Sequence, residues 1–201
     1  MKVKVTINVL AIFVVLFSAS CEFRQQSEQK VTDSIDTAAF LKVGDSVTML
    51  LQKILLENVM QATKAGGPEY AVEYCNEKAI PLTDSISILH NCRIQRISDK
   101  PRNPLNQPSA ADMLVLNRMK MPGQAKAELV SEAGSIVYYK PVKISMPACL
   151  NCHGNENGQI NSNTLSVIKQ KYPADKATGY KEGDLRGAWK ITFQKIGRAH
   201  V

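Results

Sequence analysis

The chain reads as an α+β protein, and three observations predict it. Residues 33–63 place Ala38, Phe40, Leu41, Val47, Leu50, Leu51, Ile54, Leu55, Val59 and Met60 at mixed three- and four-residue steps, the period of an amphipathic helix. Segment 92–97 alternates as a strand does, and further strands are expected over 126–132, 135–144 and 183–193. Long helices therefore come first and a mostly antiparallel sheet follows, which is α+β order rather than the strict βαβ alternation of a parallel sheet.

Each element follows from its residues. Gly66-Gly67-Pro68 breaks the first helix. A second helix is expected over 68–79, with Pro68 in its first turn, where a missing N–H costs nothing. Pro81 should interrupt it, leaving a short helical stretch to about Leu89. Residues 98–108 hold three prolines and read as an ordered loop. Ser109-Ala110-Ala111-Asp112 is a variant capping box that opens a helix to about Met121. Ala133-Gly134 is a tight turn between two strands. Residues 147–161 read as a Gly- and Asn-rich loop, and 164–171 as a short helix.

The chain has 201 residues, 44% of them hydrophobic, and no internal repeat, which suits one domain with a tail. Lys2 and Lys4, the apolar stretch 5–17 and the small residues Ser18-Ala19-Ser20 form the pattern of a secretory signal over 1–20. Cys21 then stands where a lipoprotein carries its diacylglycerol, although Ser18 replaces the usual Leu. The expectation is an exported, periplasm-facing or cell-surface lipoprotein anchored through Cys21, with residues 21–32 as a polar tether. An uncleaved anchor and ordinary secretion are the other readings.

Residues 33–195 would form the domain. The last six residues, Ile196-Gly197-Arg198-Ala199-His200-Val201, resemble a translated sequencing adapter, so His200 is given no role. The formal charge of +7 falls to +4 once Lys2, Lys4 and Arg198 are set aside. That is too mild and dispersed for a nucleic-acid partner.

The chemistry sits in Cys149-Leu150-Asn151-Cys152-His153, a C-x-x-C-H motif. This is the attachment pattern for one covalent haem c. Two thiols at this spacing reach the two vinyl groups of one porphyrin, and the next residue, His153, supplies an imidazole to the iron. Such attachment occurs outside the bacterial cytoplasm, in agreement with the signal segment. The competing readings are a disulfide, or a four-thiolate zinc site from Cys75, Cys92, Cys149 and Cys152. Cys75 and Cys92 are not in a C-x-x-C pair, and a thioredoxin-like motif belongs at a strand-to-helix junction rather than in a polar loop.

The surroundings resemble a family of bacterial c-haem domains with a PAS-like fold, found as stand-alone proteins and as sensor regions. The resemblance spans about residues 70 to 193. It rests on Tyr74-Cys75-Asn76, Arg96-Ile97-Ser98, Arg102-Asn103-Pro104-Leu105-Asn106, the haem motif, the stretch Tyr172 to Tyr180, and Gly183-Asp184-Leu185-Arg186-Gly187. It implies long N-terminal helices on a PAS-like antiparallel sheet, with His/Cys ligation in which Cys75 is the second axial ligand. Cys92, His90, Met146 and Met113 are the other ligand candidates.

Arg96 and Arg102 are candidates to hold the propionates, since a guanidinium fork pairs with a carboxylate through two hydrogen bonds. A structural role for them, pinning the loop at Asn103 and Asn106, is the alternative. Asp184 and Arg186 read as a pair or an ordinary turn, and Trp189 and Tyr180 as core.

An iron with both axial positions filled favours one-electron transfer or redox sensing over catalysis, so no enzyme activity is expected. The alternative is a haem-based sensory or ligand-binding module. Either would need a separate redox or signalling partner. The early helix suits packing on its own domain or on a second copy.

Overall fold

In the computed structural model, which describes residues 36–193, a four-stranded antiparallel sheet of order β1-β4-β3-β2 forms the middle layer. Its strands are β1 (Cys92–Ile97), β2 (Glu128–Glu132), β3 (Ser135–Lys143) and β4 (Leu185–Phe193). The α+β reading is therefore correct, and so is the antiparallel sheet. The signal segment, Cys21, the tether and residues 196–201 lie outside the described residues. Among the described residues no helix is long and apolar enough to cross a membrane.

Strand alternation sorts the core into two faces. Tyr138, Ile94, Cys92, Trp189 and Ile191 pack with Val47 and Leu51 of helix α1 (Thr37–Leu89). Their neighbours Val137, Tyr139, Ile97 and Ala188 pack with Val115, Leu116 and Met119 of helix α2 (Ala110–Lys120) on the opposite face. Burial of such side chains at about 1.5–3 kcal/mol each makes this sandwich of helix, sheet and helix the main source of stability.

Polar anchors fix the register of α1. Tyr138 donates its hydroxyl to Asp45 at 2.7 Å, and the Trp189 indole N–H donates to Gln52 at 2.9 Å. The long early helix thus packs on its own sheet.

Local rules predict several boundaries well. Ser109 and Asp112 form the reciprocal capping box. Ala133 (φ 48°) and Gly134 (φ 74°) both take the left-handed region, as a two-residue turn between twisted strands requires. Strands β2 and β4 begin two residues later than expected, and the helix predicted over 164–171 begins at Ser162, because Asn161 accepts the Thr164 N–H as an N-cap.

Two expectations need correction. Helical conformation is interrupted only at Gly66 and Gly67, where Gly67 has φ 76°, and it continues through Pro81 to Leu89. Proline in an isolated helix interior costs about 3 kcal/mol. Here Ile86 packs against the sheet core, and the Ser87 hydroxyl accepts the Ile94 N–H at 3.1 Å, so tertiary contacts hold the turn.

The expected loop 147–161 is also more regular than its composition suggests. A 3₁₀ turn (Pro147–Cys149) leads into the single helical turn α3 (Leu150–His153) soon after β3. The C-x-x-C-H residues thus stand between a strand and a helical turn, a junction where a redox motif also belongs. Helix α4 (Ser162–Lys171) then packs on the second half of α1.

Candidate functional site

The segment 175–180 clasps the end of α3. The Tyr180 N–H donates to the His153 carbonyl at 2.9 Å, and the Gly179 N–H to the Gly154 carbonyl at 2.8 Å. Arg102 donates to the Cys152 carbonyl at 2.6 Å while its guanidinium pairs with Asp175. Two stretches remote in sequence, the loop at Arg102 and the segment 175–180, thus hold the Cys152-His153 end of the motif in one geometry.

His153 is the most informative group. Its Nδ1 lies 2.8 Å from the carbonyl oxygen of Ala177. A carbonyl only accepts, so Nδ1 carries the hydrogen and Nε2 keeps its lone pair. Burial, followed by the nearby cations Arg186 and Arg102, holds the imidazole well below its ordinary pKa and therefore neutral. A neutral ring whose far nitrogen is fixed by a backbone carbonyl is the form that ligates metals.

Nearby is a cavity of about 920 Å³ with mainly apolar walls. That is the upper end of the range for cofactor sites, ~300–1,000 Å³. Cys149, Cys152 and His153 form part of one wall, and α1 contributes Cys75 among its lining residues. All four described cysteines carry free thiols. Burial, then Cys152 close by, pushes the Cys75 thiol up to about 11, and Arg102 draws it partly back. Among the described residues no three of His, Cys, Asp or Glu converge into a cage for a bare metal ion. The set offered is instead one imidazole, two adjacent thiols and a third thiol around a large apolar space, which fits a porphyrin.

The other predicted residues sort clearly. Arg96, Met146, Asn103 and Asn106 line the cavity. Asn103 also caps its loop by accepting the Leu105 N–H at 3.0 Å. Cys92 is 7% exposed and belongs to the sheet core, although it also reaches the cavity wall. Trp189 is shared by core and cavity, and Tyr180 packs with Ile144 and Ala177.

Two ligand candidates lie elsewhere. His90 is exposed beyond α1, and Met113 packs on the α2 face of the sheet. Arg102 also lines the cavity, where it is engaged by the Asp175 carboxylate and by the Cys152 carbonyl. Asp184 does not pair with Arg186. It accepts the Lys181 N–H at 2.7 Å, whereas Arg186 reaches Ser98 and Lys100 and lines the cavity.

Sequence reasoning missed three contributors. The Ala177 carbonyl carries no side-chain signal. Asp175 stood inside a recognised stretch without an assigned role, Arg186 was read only as a partner of Asp184 or a turn residue, and only the fold shows what they face.

No curated protein matches the chain. Among solved structures, the crystal structure of the cyanobacterial haem protein Tll0287 is similar in fold. The TM-score is 0.59 at 24% identity, over 77% of this chain and 96% of that one. The Tll0287-like family model matches residues 14–194, so the chain belongs to the Tll0287-like family.

Proposed function

We propose that this protein binds one haem covalently and serves in one-electron transfer outside the cytoplasm. The observation that carries the reading is His153, with Nδ1 fixed on the Ala177 carbonyl and Nε2 free to ligate, next to two cysteines at haem-attachment spacing on the wall of a large apolar cavity. Cys149 and Cys152 would each add an S–H across one vinyl group. A carbon–sulfur bond would form at each, with the thiol hydrogen passing to the neighbouring vinyl carbon and no oxidant needed. His153 would supply one axial ligand.

Cys75, lining the same cavity, is the proposed second axial ligand, which would leave no open iron position for catalysis. When bound, the group supplies a one-electron iron couple, and the chain's part is to exclude water, fix the imidazole tautomer and place the thiols. The antiparallel sheet carrying helices on both faces supports the PAS-like description. Cys21 is the proposed lipid attachment, and a separate redox partner would exchange electrons with the protein.

The deciding experiment is a reduced pyridine-haemochrome spectrum of protein made in bacteria carrying cytochrome c maturation machinery. A c-type band that survives acid-acetone extraction, and disappears in the Cys149→Ser, Cys152→Ser variant, is expected. Absence of haem in the matured wild type would remove the reading. A six-coordinate spectrum in both oxidation states is expected for electron transfer, whereas loss of a ligand on reduction, or binding of CO, would instead identify a sensor.

A further inference from the structure

Apart from the exposed Arg93, the cavity wall carries two guanidinium groups without carboxylate partners, those of Arg96 and Arg186. Arg96 lies on β1 directly across from Trp189 of β4, and its guanidinium carbon sits 5.4 Å from the centroid of that indole ring. Its Nη1 is sealed from solvent and has no hydrogen-bond partner.

Arg186, two residues before Ala188 on β4, donates from Nη1 to the Ser98 hydroxyl at 2.9 Å and to the Lys100 carbonyl at 3.3 Å, both neutral acceptors. Its Nε is sealed and unpartnered, as is the nearby Tyr180 hydroxyl, whose ring lies 5.5 Å from the Arg186 guanidinium. Asp175 is engaged by Arg102, and neither Arg96 nor Arg186 makes an ion pair with any described residue.

The backbone between them is shaped to keep them in place. Gly187 has φ +138°, and a Cβ there would come within 2.2 Å of the Ile97 carbonyl oxygen and 3.2 Å of Arg96 Nη1. Only glycine permits this approach of β4 to β1 and to Arg96.

Two half-buried cations side by side, each with a sealed nitrogen and no anion, are costly. Removing a guanidinium from water must be offset by a paired anion, and buried polar groups are otherwise satisfied. Burial and the mutual repulsion of the pair push the Arg96 guanidinium down to about 9, which expresses the same imbalance. The cavity beside them is the place from which compensating charge can arrive.

We infer that Arg96 and Arg186 form a carboxylate receptor in the cavity wall, one guanidinium for each of two carboxylates on the molecule that fills it. The inference rests on the cavity reading above and deepens it: a porphyrin bearing two propionates has the required charge, and a free dicarboxylate has the same chemistry.

The test uses the full chain carrying Cys149→Ser and Cys152→Ser, isolated without haem so that binding is reversible. Haemin and haemin dimethyl ester, which differ only in their carboxylates, are titrated against it by Soret absorbance. Haemin should bind at least about tenfold more tightly than the ester, the scale of one charge-assisted hydrogen bond. Arg96→Gln and Arg186→Gln should each narrow that gap. The ester comparison needs no arginine variant, so poor folding of a variant does not obscure the result.

Equal affinity for haemin and its ester would overturn the receptor while leaving the haem reading intact. If neither porphyrin binds this variant, the haem reading is decided by the haemochrome of the matured wild type and not by this titration. The receptor then stands if succinate raises the melting temperature in an Arg96- and Arg186-dependent manner, and falls if it does not.

Discussion

Arg102 and Asp175 form a bidentate ion pair, with Nε and Nη2 reaching the two carboxylate oxygens at 3.2 and 3.1 Å. Their side chains are only 11% and 8% exposed. The pair joins the loop after β1 to the segment after α4, and through the Cys152 carbonyl it joins both to the C-x-x-C-H turn. Removing one partner strands the other charge in a poorly hydrated position, which typically costs about 3–5 kcal/mol. Asp175→Ala also removes the acceptor for the Ala177 N–H, next to the carbonyl that holds His153. A fall in the urea midpoint is expected, together with less bound haem per chain.

Cys75 faces the cavity from the helical side, and its sulfur is the proposed counterpart of His153. A thiolate donates strongly and stabilises the ferric state. Cys75→Ala should therefore alter the ferric spectrum and raise the reduction potential, as read by spectroelectrochemistry. An unchanged ferric spectrum would remove Cys75 from the iron. Cys92→Ala should leave that spectrum as it is and lower stability through lost core packing.

On the far face of the sheet, Asp112 accepts from the Lys190 ammonium at 2.8 Å and from the Tyr139 hydroxyl at 2.7 Å. Burial pushes its carboxyl up, but Lys190, the Ser109 N–H and Tyr139 outweigh burial and hold it below its usual range. A lowered folded-state value means that the carboxylate's contribution is complete above its unfolded value of about 3.9 and is lost as pH falls through the folded value. Asp112→Asn should cost most at neutral pH, and its deficit relative to wild type should shrink below about pH 4. Urea unfolding across that range checks the sign.

Gly44 lies under the ring of Tyr138, and a Cβ there would meet ring carbons at 2.5 Å. The buried ring is held by its hydroxyl bond to Asp45, so it cannot move away freely. Gly44→Ala gains helix propensity but overpacks the interface between α1 and the sheet. A net loss of about 1–3 kcal/mol is expected in thermal or urea melts, opposite in sign to the gain an exposed helix would show.

How far the sequence was legible depended on whether a feature is local. The turn at Ala133-Gly134 and the capping box at Ser109 are written in adjacent residues and appear as expected. The C-x-x-C-H spacing is equally local, and it marked the right wall of the cavity. Pro81 misled because propensity cannot register Ile86 and Ser87 bracing the next turn against the sheet. Arg186 was read as a turn residue because what it faces is decided by the pairing of β4 with β1, a contact between distant positions. The Ala177 carbonyl was invisible for a simpler reason: every residue has one.

The break at Gly66 and Gly67 divides α1 into lengths with different moorings. The first is tied to the sheet through Asp45 and Gln52; the second is tied to α4 through Glu69, whose carboxylate accepts the Thr164 hydroxyl at 2.8 Å, and at its far end to the sheet through Ile86 and Ser87. Because the ladder of backbone hydrogen bonds is interrupted there, helical cooperativity does not pass from one length to the other. The Tyr74 hydroxyl on Asn58, at 2.8 Å, is a side-chain latch across the gap. In hydrogen-exchange terms, amides of residues 68–80, between the break and the Ile86 and Ser87 contacts with the sheet, are expected to open more readily than those of the sheet. The wall carrying Cys75 therefore has its own opening free energy, set by α4, by the Ile86 and Ser87 contacts at its far end and by whatever fills the cavity.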